Sequence, residues 1–598
     1  MKETYFVGID FGHGETAAWV VPLAKDYKAN VDDEKGEALM LNENNRVEDR
    51  VIASEVYFSS PDTYTLTETK GATLFNQMKS RVSKLKENKD KEEAFKNYIK
   101  RVVERLLELN DNILDKERPN FLLYMASPTQ WEENEKKAYL QFFNEAISEL
   151  NLRFESIIDE SDAAFFSKMS EVSNINECTL VIDYGSSTID NTVIKGGKKI
   201  SDKDWSSSDL GAGNIEKNML RHAKDKNYQV FTDNLNKANE IAHQHEQGDI
   251  ESWLLKYCRQ EKEERYSKTE DDYIVLRPLS QFVELADNEE NVMFFIQGKL
   301  KEATKSYREA VKEDLLTLRQ RIHRKNGNQD PDNIILSGGA SIMGWVEDLV
   351  KEVFPNSKPI PDRNPAFVVA KGVALYAKAQ QKAIDQLMSE IDEKCFNNMY
   401  KDAFAEANHQ AMCQLSGAVV QDITNSAPIT GESIRQRFCY FIQGLNPQNV
   451  AFSQMLQKNF NNALLFEIGK IIKTAIKQAF GINADVSDIK VDLPIKALQW
   501  DKKSISPGGG FYEEITYTIE NYKTFSFNFE WDKTRDRSKA TEIARKVQTY
   551  LNEIDFAHET IYPEEYLRDY GENLKQIAKA EAYKLFVDKQ LFKTTFTA

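Results

Sequence analysis

Three short glycine turns carry the residue types from which a metal–phosphate site can be built. The first lies in VGIDFGHGETAAWVV, residues 7–21. Asp10 ends an apolar run, Gly12, His13 and Gly14 follow, and Thr16 opens a second apolar run. CTLVIDYGSSTIDNTVI, residues 178–194, repeats the pattern with Asp183, Gly185, Ser186, Ser187 and Thr188. The third turn, in NIILSGGASIMGWVEDLV, residues 333–350, offers Gly338, Gly339, Ser341 and Ile342 at the entry to a helix. A carboxylate at the end of a buried strand can hold a hydrated Mg²⁺ that neutralises phosphate oxygens. Glycines let backbone N–H groups approach a phosphate because no Cβ intrudes. Two such loops facing each other would grip a triphosphate from both sides. A helix N-terminus beside them suits a nucleoside's polar groups or an α-phosphate. One Asp-Gly loop alone describes a plain hairpin equally well. Two followed by a strand–Gly–Gly–helix are far more specific. There is no GKS or GKT of a Walker loop, and no GxGxxG with a downstream ribose carboxylate.

The elements that must hold these turns alternate strand and helix over the first 380 or so residues. TYFVGID and TAAWVVPL read as paired strands around the first turn, and VIASEVYF (51–58) as another strand. Residues 92–114 carry helical apolar spacing, NFLLYMASP is a buried strand ended by Pro128, and a helix with an acidic first turn starts near Trp131. FESIID is a strand and ESDAAFFSKM a helix. The recurrence of the Asp-Gly-Thr hairpin predicts two similar subdomains. Residues 211–324 read as long, charged and mostly helical, and AFVVAKGVALYAKA closes the region as a helix. Residues 382–481 read as largely helical, residues 485–531 as strands of a small antiparallel sheet, and 537–592 as helix again.

Bulk composition sets outer limits. A chain of 598 residues is too long for one core, and 41% hydrophobic with 29% charged residues is ordinary for globular protein. With Lys plus Arg at 78 against Asp plus Glu at 95, the net charge is −17, which argues against nucleic acid as the main partner. Cys178, Cys258, Cys395, Cys413 and Cys439 are scattered, odd in number and form no CxxC, as in a reduced, cytoplasmic protein without structural zinc. No secretory signal and no membrane span are expected, since strand-like sequence starts at once and no apolar run of about 18 residues occurs.

The three turns, in this order, resemble the nucleotide-binding loops of the superfamily that joins actin, the 70-kDa heat-shock chaperones and sugar kinases. GIDFGHGET is similar to the first phosphate loop, VIDYGSSTID to the second and NIILSGGASIMG to the adenosine loop. RVIASEVYF, YMASPTQWEENEKKAYLQFF, IIDESDAAFF, DLGAGNIE (209–216) and NPAFVVAKGVALYA resemble segments of the chaperone branch, so the likeness spans about residues 4–380. It implies an α/β, two-lobed actin-like ATPase of duplicated mixed-sheet subdomains flanked by helices, over residues 1–380. The lobes would be 1–177 and 178–380, followed by a divergent, mostly helical domain over 381–598 with a β segment at 485–531. ATP or ADP with Mg²⁺ would sit in a cleft between the lobes. By the resemblance, Asp10 and Asp183 would hold the metal through water and flank the attacking water, and Glu160 would help place that cluster. Gly12, His13, Gly14, Thr16, Gly185, Ser186, Ser187 and Thr188 would wrap the phosphates. Gly211 and Gly213, in the glycine turn that enters the upper half of the second lobe, would also contact the nucleotide, and Gly338, Gly339, Ser341 and Ile342 would meet the adenosine. Lys79 stands near the place of the family's phosphate-contacting lysine, with Lys84 competing for it. Residues 260–267, QEKEERYS, loosely resemble the helix that contacts the nucleoside, which would bring in Glu261 and Lys262. Ser186 and Ser187 replace usual glycines, Ile342 replaces an adenine-stacking arginine, and His13 replaces a small hydroxyl residue.

The function this implies is a slow, Mg-dependent ATP hydrolase that couples nucleotide state to client or partner binding by the C-terminal domain. The other expectation is an actin-like assembly or scaffold protein whose nucleotide controls self-association. A sugar kinase ranks lowest, because no catalytic Asp of a sugar pocket can be identified. Several features have plainer readings. His243 and His245 read as a solvated helix face rather than a metal site. NALLFEIGKIIKTAIKQAFGI reads as a packed helix rather than a membrane-surface one. Tyr517, Tyr522, Phe525, Phe527 and Phe529 read as the inner face of a sheet, and KENKDKEE (86–93) as a solvated loop.

Overall fold

The computed structural model describes nearly all of residues 4–390, with short gaps, then 400–423 and scattered positions beyond. Among these the chain is α/β, with mixed sheets flanked by helices. It divides into two compact units at Gln381/Lys382.

The first unit opens with β1 (Tyr5–Phe11) and β2 (Glu15–Pro22), then short β3 (Glu37–Ala38) and β4 (Ile52–Ala53). A small sheet follows, of β5 (Glu55–Ser60), β6 (Thr63–Thr65) and β7 (Thr73–Asn76). Next come α1 (Val82–Leu85), α2 (Lys89–Leu109), β8 (Phe121–Ser127), α3 (Glu133–Ala146), β9 (Phe154–Asp159) and α4 (Glu160–Lys168). The main sheet runs β3-β2-β1-β8-β9: antiparallel through β1–β2–β3, parallel through β1–β8–β9. The chain then repeats the plan. β10 (Cys178–Tyr184), β11 (Ile189–Lys195) and β12 (Lys198–Lys199) form the second meander. After α5 (Gly213–Lys226), α6 (Tyr228–Gln244) and α7 (Glu251–Lys268) comes a hairpin of β13 (Asp272–Pro278) and β14 (Met293–Lys299). It is followed by α8 (Leu300–Lys325), β15 (Asn333–Ser337), α9 (Gly344–Val353), β16 (Lys358–Pro361) and α10 (Val368–Glu390). The second sheet, β12-β11-β10-β15-β16, has the strand order and directions of the first.

The two halves meet through their last helices. A Cβ on Gly372 of α10 would lie 1.7 Å from the Ala163 carbonyl oxygen of α4, and one on Gly8 of β1 would lie 2.2 Å from the Ala370 carbonyl oxygen. Backbone here touches backbone, which only glycine permits. Each half has its own apolar core. Tyr57, Ala72 and Leu74 of the small sheet are buried in the second core, so the first lobe's insert also packs on the second lobe.

Three expectations change. VIASEVYF is two strands, because Ser54 breaks it: Ile52–Ala53 pair with β2 and Glu55–Ser60 build another sheet. The stretch 211–324 is mostly helical as expected, through α5–α8, but it also contains the β13–β14 hairpin. Its inward Tyr273, Val275, Phe294 and Ile296 alternate with half-exposed Ile274, Leu276, Met293 and Phe295, so an apolar outer face hides the period of two. Of KENKDKEE, the part from Lys89 onward is the first turn of α2, N-capped by Asn88, whose side chain accepts from the Lys91 N–H at 3.0 Å.

In the second unit the described elements are α11 (Tyr400–Ile423) and a two-stranded pairing of β17 (Ile429–Thr430) with β18 (Asn528–Phe529). The rest of the expected β segment, most of NALLFEIGKIIKTAIKQAFGI, and Tyr517, Tyr522, Phe525 and Phe527 lie outside the described residues. Among the described residues no helix is long and apolar enough to cross a membrane.

Candidate functional site

Both hairpin loops have four residues, and one register fixes both. Phe11 pairs with Thr16 around 12–15, and Tyr184 pairs with Ile189 around 185–188. Asp10 and Asp183 are the preceding residues, each opposite the second strand. Between the two loops lies a cavity of about 610 Å³, within the range of small-molecule sites. Asp10, Gly12, His13, Gly14, Lys79, Lys84, Glu160, Asp183, Gly185, Ser186, Ser187, Thr188, Gly338, Gly339 and Ile342 line it.

The structure places four of the expected contact residues behind the wall. Thr16 does not correspond to Thr188: in the shared register Thr16 matches Ile189, and Glu15 matches Thr188. A one-residue offset along a strand turns a side chain to the other face. Thr16 is therefore fully buried, accepting from Tyr98 Oη at 2.7 Å and lying 3.2 Å from Ser54 Oγ. Gly211 and Gly213 buttress the second loop: a Cβ on Gly211 would lie 2.2 Å from the Ser186 carbonyl oxygen, while Ala212 and Gly213 donate backbone N–H to Gly185 and Ser186. Ser341 donates its N–H to the Gly338 carbonyl. Gly338 itself has φ +80 and would press a Cβ to 2.4 Å from the Tyr184 carbonyl oxygen. A side chain there would displace the second hairpin.

Ser54, a residue the sequence reading passed over, shapes the first loop. Its N–H donates to Gly14 at 2.9 Å and its hydroxyl to Gly12 at 2.7 Å. Arg259 of α7 also donates to the Gly14 carbonyl, and its guanidinium lies 2.7 Å from where a Cβ on Gly14 would stand. Lys79 donates to Glu160 and lies 3.7 Å from Asp10. Burial works against its charge, but Glu160 and Asp10 outweigh burial and push its pKa up.

The carboxylates are held where ionisation is costly. Burial raises Asp10 to about 6 against the lowering effect of Lys79, with Glu160 adding to the rise. Burial, Glu160 and Asp10 raise Asp183 well above the usual range. Asp190, a residue not expected from the sequence, accepts from the Thr188 hydroxyl at 2.8 Å and is raised to about 7, chiefly by burial. One oxygen each of Asp10, Asp183 and Asp190 is buried with no hydrogen-bond partner among the described residues. Such orphaned carboxylate oxygens, two of them on cavity-lining residues, fit a hydrated divalent cation held through water. They do not fit a direct cage, and among the described residues no cluster of three metal-ligating side chains occurs. His13 donates from Nδ1 to the Lys79 carbonyl at 3.2 Å, and burial lowers its pKa to about 4.

The α7 wall differs from the expected pair. Lys262 lines the cavity but is buried against Glu216 at 2.5 Å, and Glu261 pairs with Arg265 instead of lining it. Arg259, Glu263 and Tyr266 take the wall, with Arg363–Phe367 at the entry to α10. Ile342 is 59% exposed and presents an aliphatic surface. His243 and His245 lie elsewhere, paired to Asp249 at 3.0 Å and Glu289 at 2.9 Å. Compared with known proteins, the chain matches no protein-family model and no curated protein.

Proposed function

We propose that the first unit binds Mg-ATP and hydrolyses it slowly, as a two-lobed ATPase of the kind shared by actin, the heat-shock chaperones and sugar kinases, and that the second unit uses its nucleotide state to bind a client or partner. The observation that carries this is the pair of matched hairpin loops, one from each half of a duplicated fold. They bring Asp10 and Asp183, each with an orphaned buried oxygen, to one cavity beside Lys79–Glu160. The backbone N–H groups of 12–14 and 186–188 would cradle the phosphates. Bound Mg²⁺ would neutralise phosphate oxygens and draw Asp10 and Asp183 into their ionised form. Lys79, kept charged and fixed by Glu160, would face charge developing on the terminal phosphoryl group. The attacking water bonds to the terminal phosphorus as the bond to the leaving ADP oxygen breaks, and a cavity carboxylate takes the water's proton. Asp190 would act one step back, holding Thr188. Ile342 offers the base an aliphatic face in place of a stacking cation.

Calorimetric titration of the full chain with ATP and ADP, with and without Mg²⁺, tests the reading. The expected result is saturable binding that Mg²⁺ strengthens and that ADP shares. Absence of binding by either nucleotide up to millimolar concentration sinks it.

A further inference from the structure

Every buried cation at the cavity already has a carboxylate. Lys79 is held by Glu160 and Asp10, Lys262 by Glu216, and Arg259 by Glu15 at 2.9 Å and Glu263 at 2.6 Å. In two of these pairs both partners are nearly inaccessible, so neither carboxylate is free to leave its cation. The third differs. Glu15 stands at the position where the second loop presents Thr188 to the cavity. Its carboxylate reaches from the first lobe's loop toward the third glycine turn, where a Cβ on Gly339 would lie 3.9 Å from Oε2. An anion therefore lies amid three loops whose glycines and amides suit an anionic ligand. Arg259, from the second lobe, holds it there while also bonding to Gly14.

We propose that Glu15 is an internal stand-in for a ligand phosphate: a bound polyphosphate displaces the Glu15 carboxylate and takes over its Arg259 partner. The inference rests on the nucleotide reading above. Arg259 is suited to the exchange. Glu263, four residues along α7, and the Gly14 carbonyl keep the guanidinium in place when Glu15 leaves, so it meets the ligand already oriented. The planar fork binds carboxylate and phosphate with the same geometry, which makes one a fair substitute for the other. The pair ties the two halves together, first-loop residue to α7. With ligand, the phosphate would become the tie. Glu15 thus sets a threshold: ligands lacking enough negative charge to win the guanidinium would leave the internal pair in place.

The test is a set of binding isotherms for wild type, Glu15→Gln, Arg259→Gln and the double variant, with Mg-ATP, Mg-ADP, inorganic tripolyphosphate and adenosine as probes. Glu15→Gln is expected to tighten ATP and tripolyphosphate about tenfold by removing a like charge, and to leave adenosine unchanged. The gain should shrink in the Arg259→Gln background, because the cation that the ligand inherits is missing. Glu15→Ala guards against an uninformative fold defect and should shift affinity in the same direction. If wild type binds ATP while Glu15→Gln and Glu15→Ala bind it equally or more weakly, the stand-in is overturned and the nucleotide reading survives. Weaker ATP but unaltered tripolyphosphate binding would make Glu15 an acceptor for sugar hydroxyls, which also overturns it. If no variant binds ATP or tripolyphosphate, both fail.

Discussion

The β1–β2 loop and the β10–β11 loop share length, register and the leading Asp, yet they are furnished in opposite ways. The second loop is self-sufficient. Gly185 bonds to Thr188, Thr188 to Asp190, and the 211–213 turn lies against its outer side, all within one lobe. The first loop is held from outside. Ser54 takes the carbonyls of Gly12 and Gly14, Lys79 meets His13, and Arg259 reaches in from the other lobe. What the two loops share is the geometry that presents a carboxylate. What differs is where the loop is held: the first by residues of both halves, the second by residues of its own half. That division would let one loop sense while the other binds.

The sharpest way to break this comparison is to test the one feature the loops share. Asp10→Asn and Asp183→Asn should each reduce phosphate release from ATP by about a thousandfold while leaving the circular dichroism spectrum unaltered. Both losses must be large, because each loop presents to the cavity an aspartate with one buried oxygen that has no hydrogen-bond partner among the described residues. Wild-type-like turnover in either variant would separate the loops chemically and undo the site.

The shared carboxylates also predict a pH dependence. Burial raises Asp10 to about 6. The water-mediated metal site needs the anion, so Mg-ATP affinity should rise with pH and level off above about 7, with binding at pH 5 about tenfold weaker than at the plateau. Stability of the unliganded protein runs the other way. A carboxyl whose folded pKa exceeds its unfolded value of 3.8 holds more protons when folded, so its contribution falls as pH rises from about 4 to 6. Asp10→Asn removes that penalty and should raise stability at pH 7.5 by about 1 to 3 kcal/mol in thermal or denaturant unfolding. An unliganded variant less stable than wild type there would show that the aspartate's charge is compensated by groups that the cavity geometry does not reveal.

How much of this was legible beforehand follows from what each signal depends on. Asp10, Asp183 and the glycines could be read because a strand, a carboxylate and a tight turn are all local. The hairpin at 272–299 could not, because half-exposed apolar residues on its outer face masked the alternation. Thr16 and Thr188 looked alike because both follow an Asp-Gly turn. Their opposite faces depend on one residue of spacing, which becomes visible only when the registers are laid side by side. Arg259, Ser54 and Asp190 come from other elements or from behind the wall, and no local motif points to a partner 245 residues away.

The threonines turn that offset into a smaller, cleaner test. Thr188→Val removes a cavity hydroxyl and the partner of Asp190, so ATP affinity or turnover should fall by about tenfold with little change in melting temperature. Thr16→Val removes a buried hydroxyl that accepts from Tyr98, so stability should fall by about 1 to 2 kcal/mol with nucleotide affinity unaltered. Equal effects of the two substitutions on affinity would mean the face assignment is wrong.

The smallest expected effect belongs to His13, which occupies the place that Ser186 holds in the second loop. Its ring lines the cavity, so an imidazolium on the terminal phosphate would be a natural reading. The surroundings oppose it. Burial lowers the pKa to about 4, and Lys79 and Lys91 add to the fall, while the bond to the Lys79 carbonyl only partly offsets them. A ring that is neutral throughout pH 5.5–8 and anchored through Nδ1 has no charge to lend a phosphate. His13→Ala should therefore leave the shape and midpoint of the affinity–pH curve as in wild type, with the rise still set by the carboxylates. A flattened curve or a midpoint moved by half a unit or more would show that bound phosphate recharges the imidazole, and the first loop would then carry a second titrating contact that the serine of the other loop cannot supply.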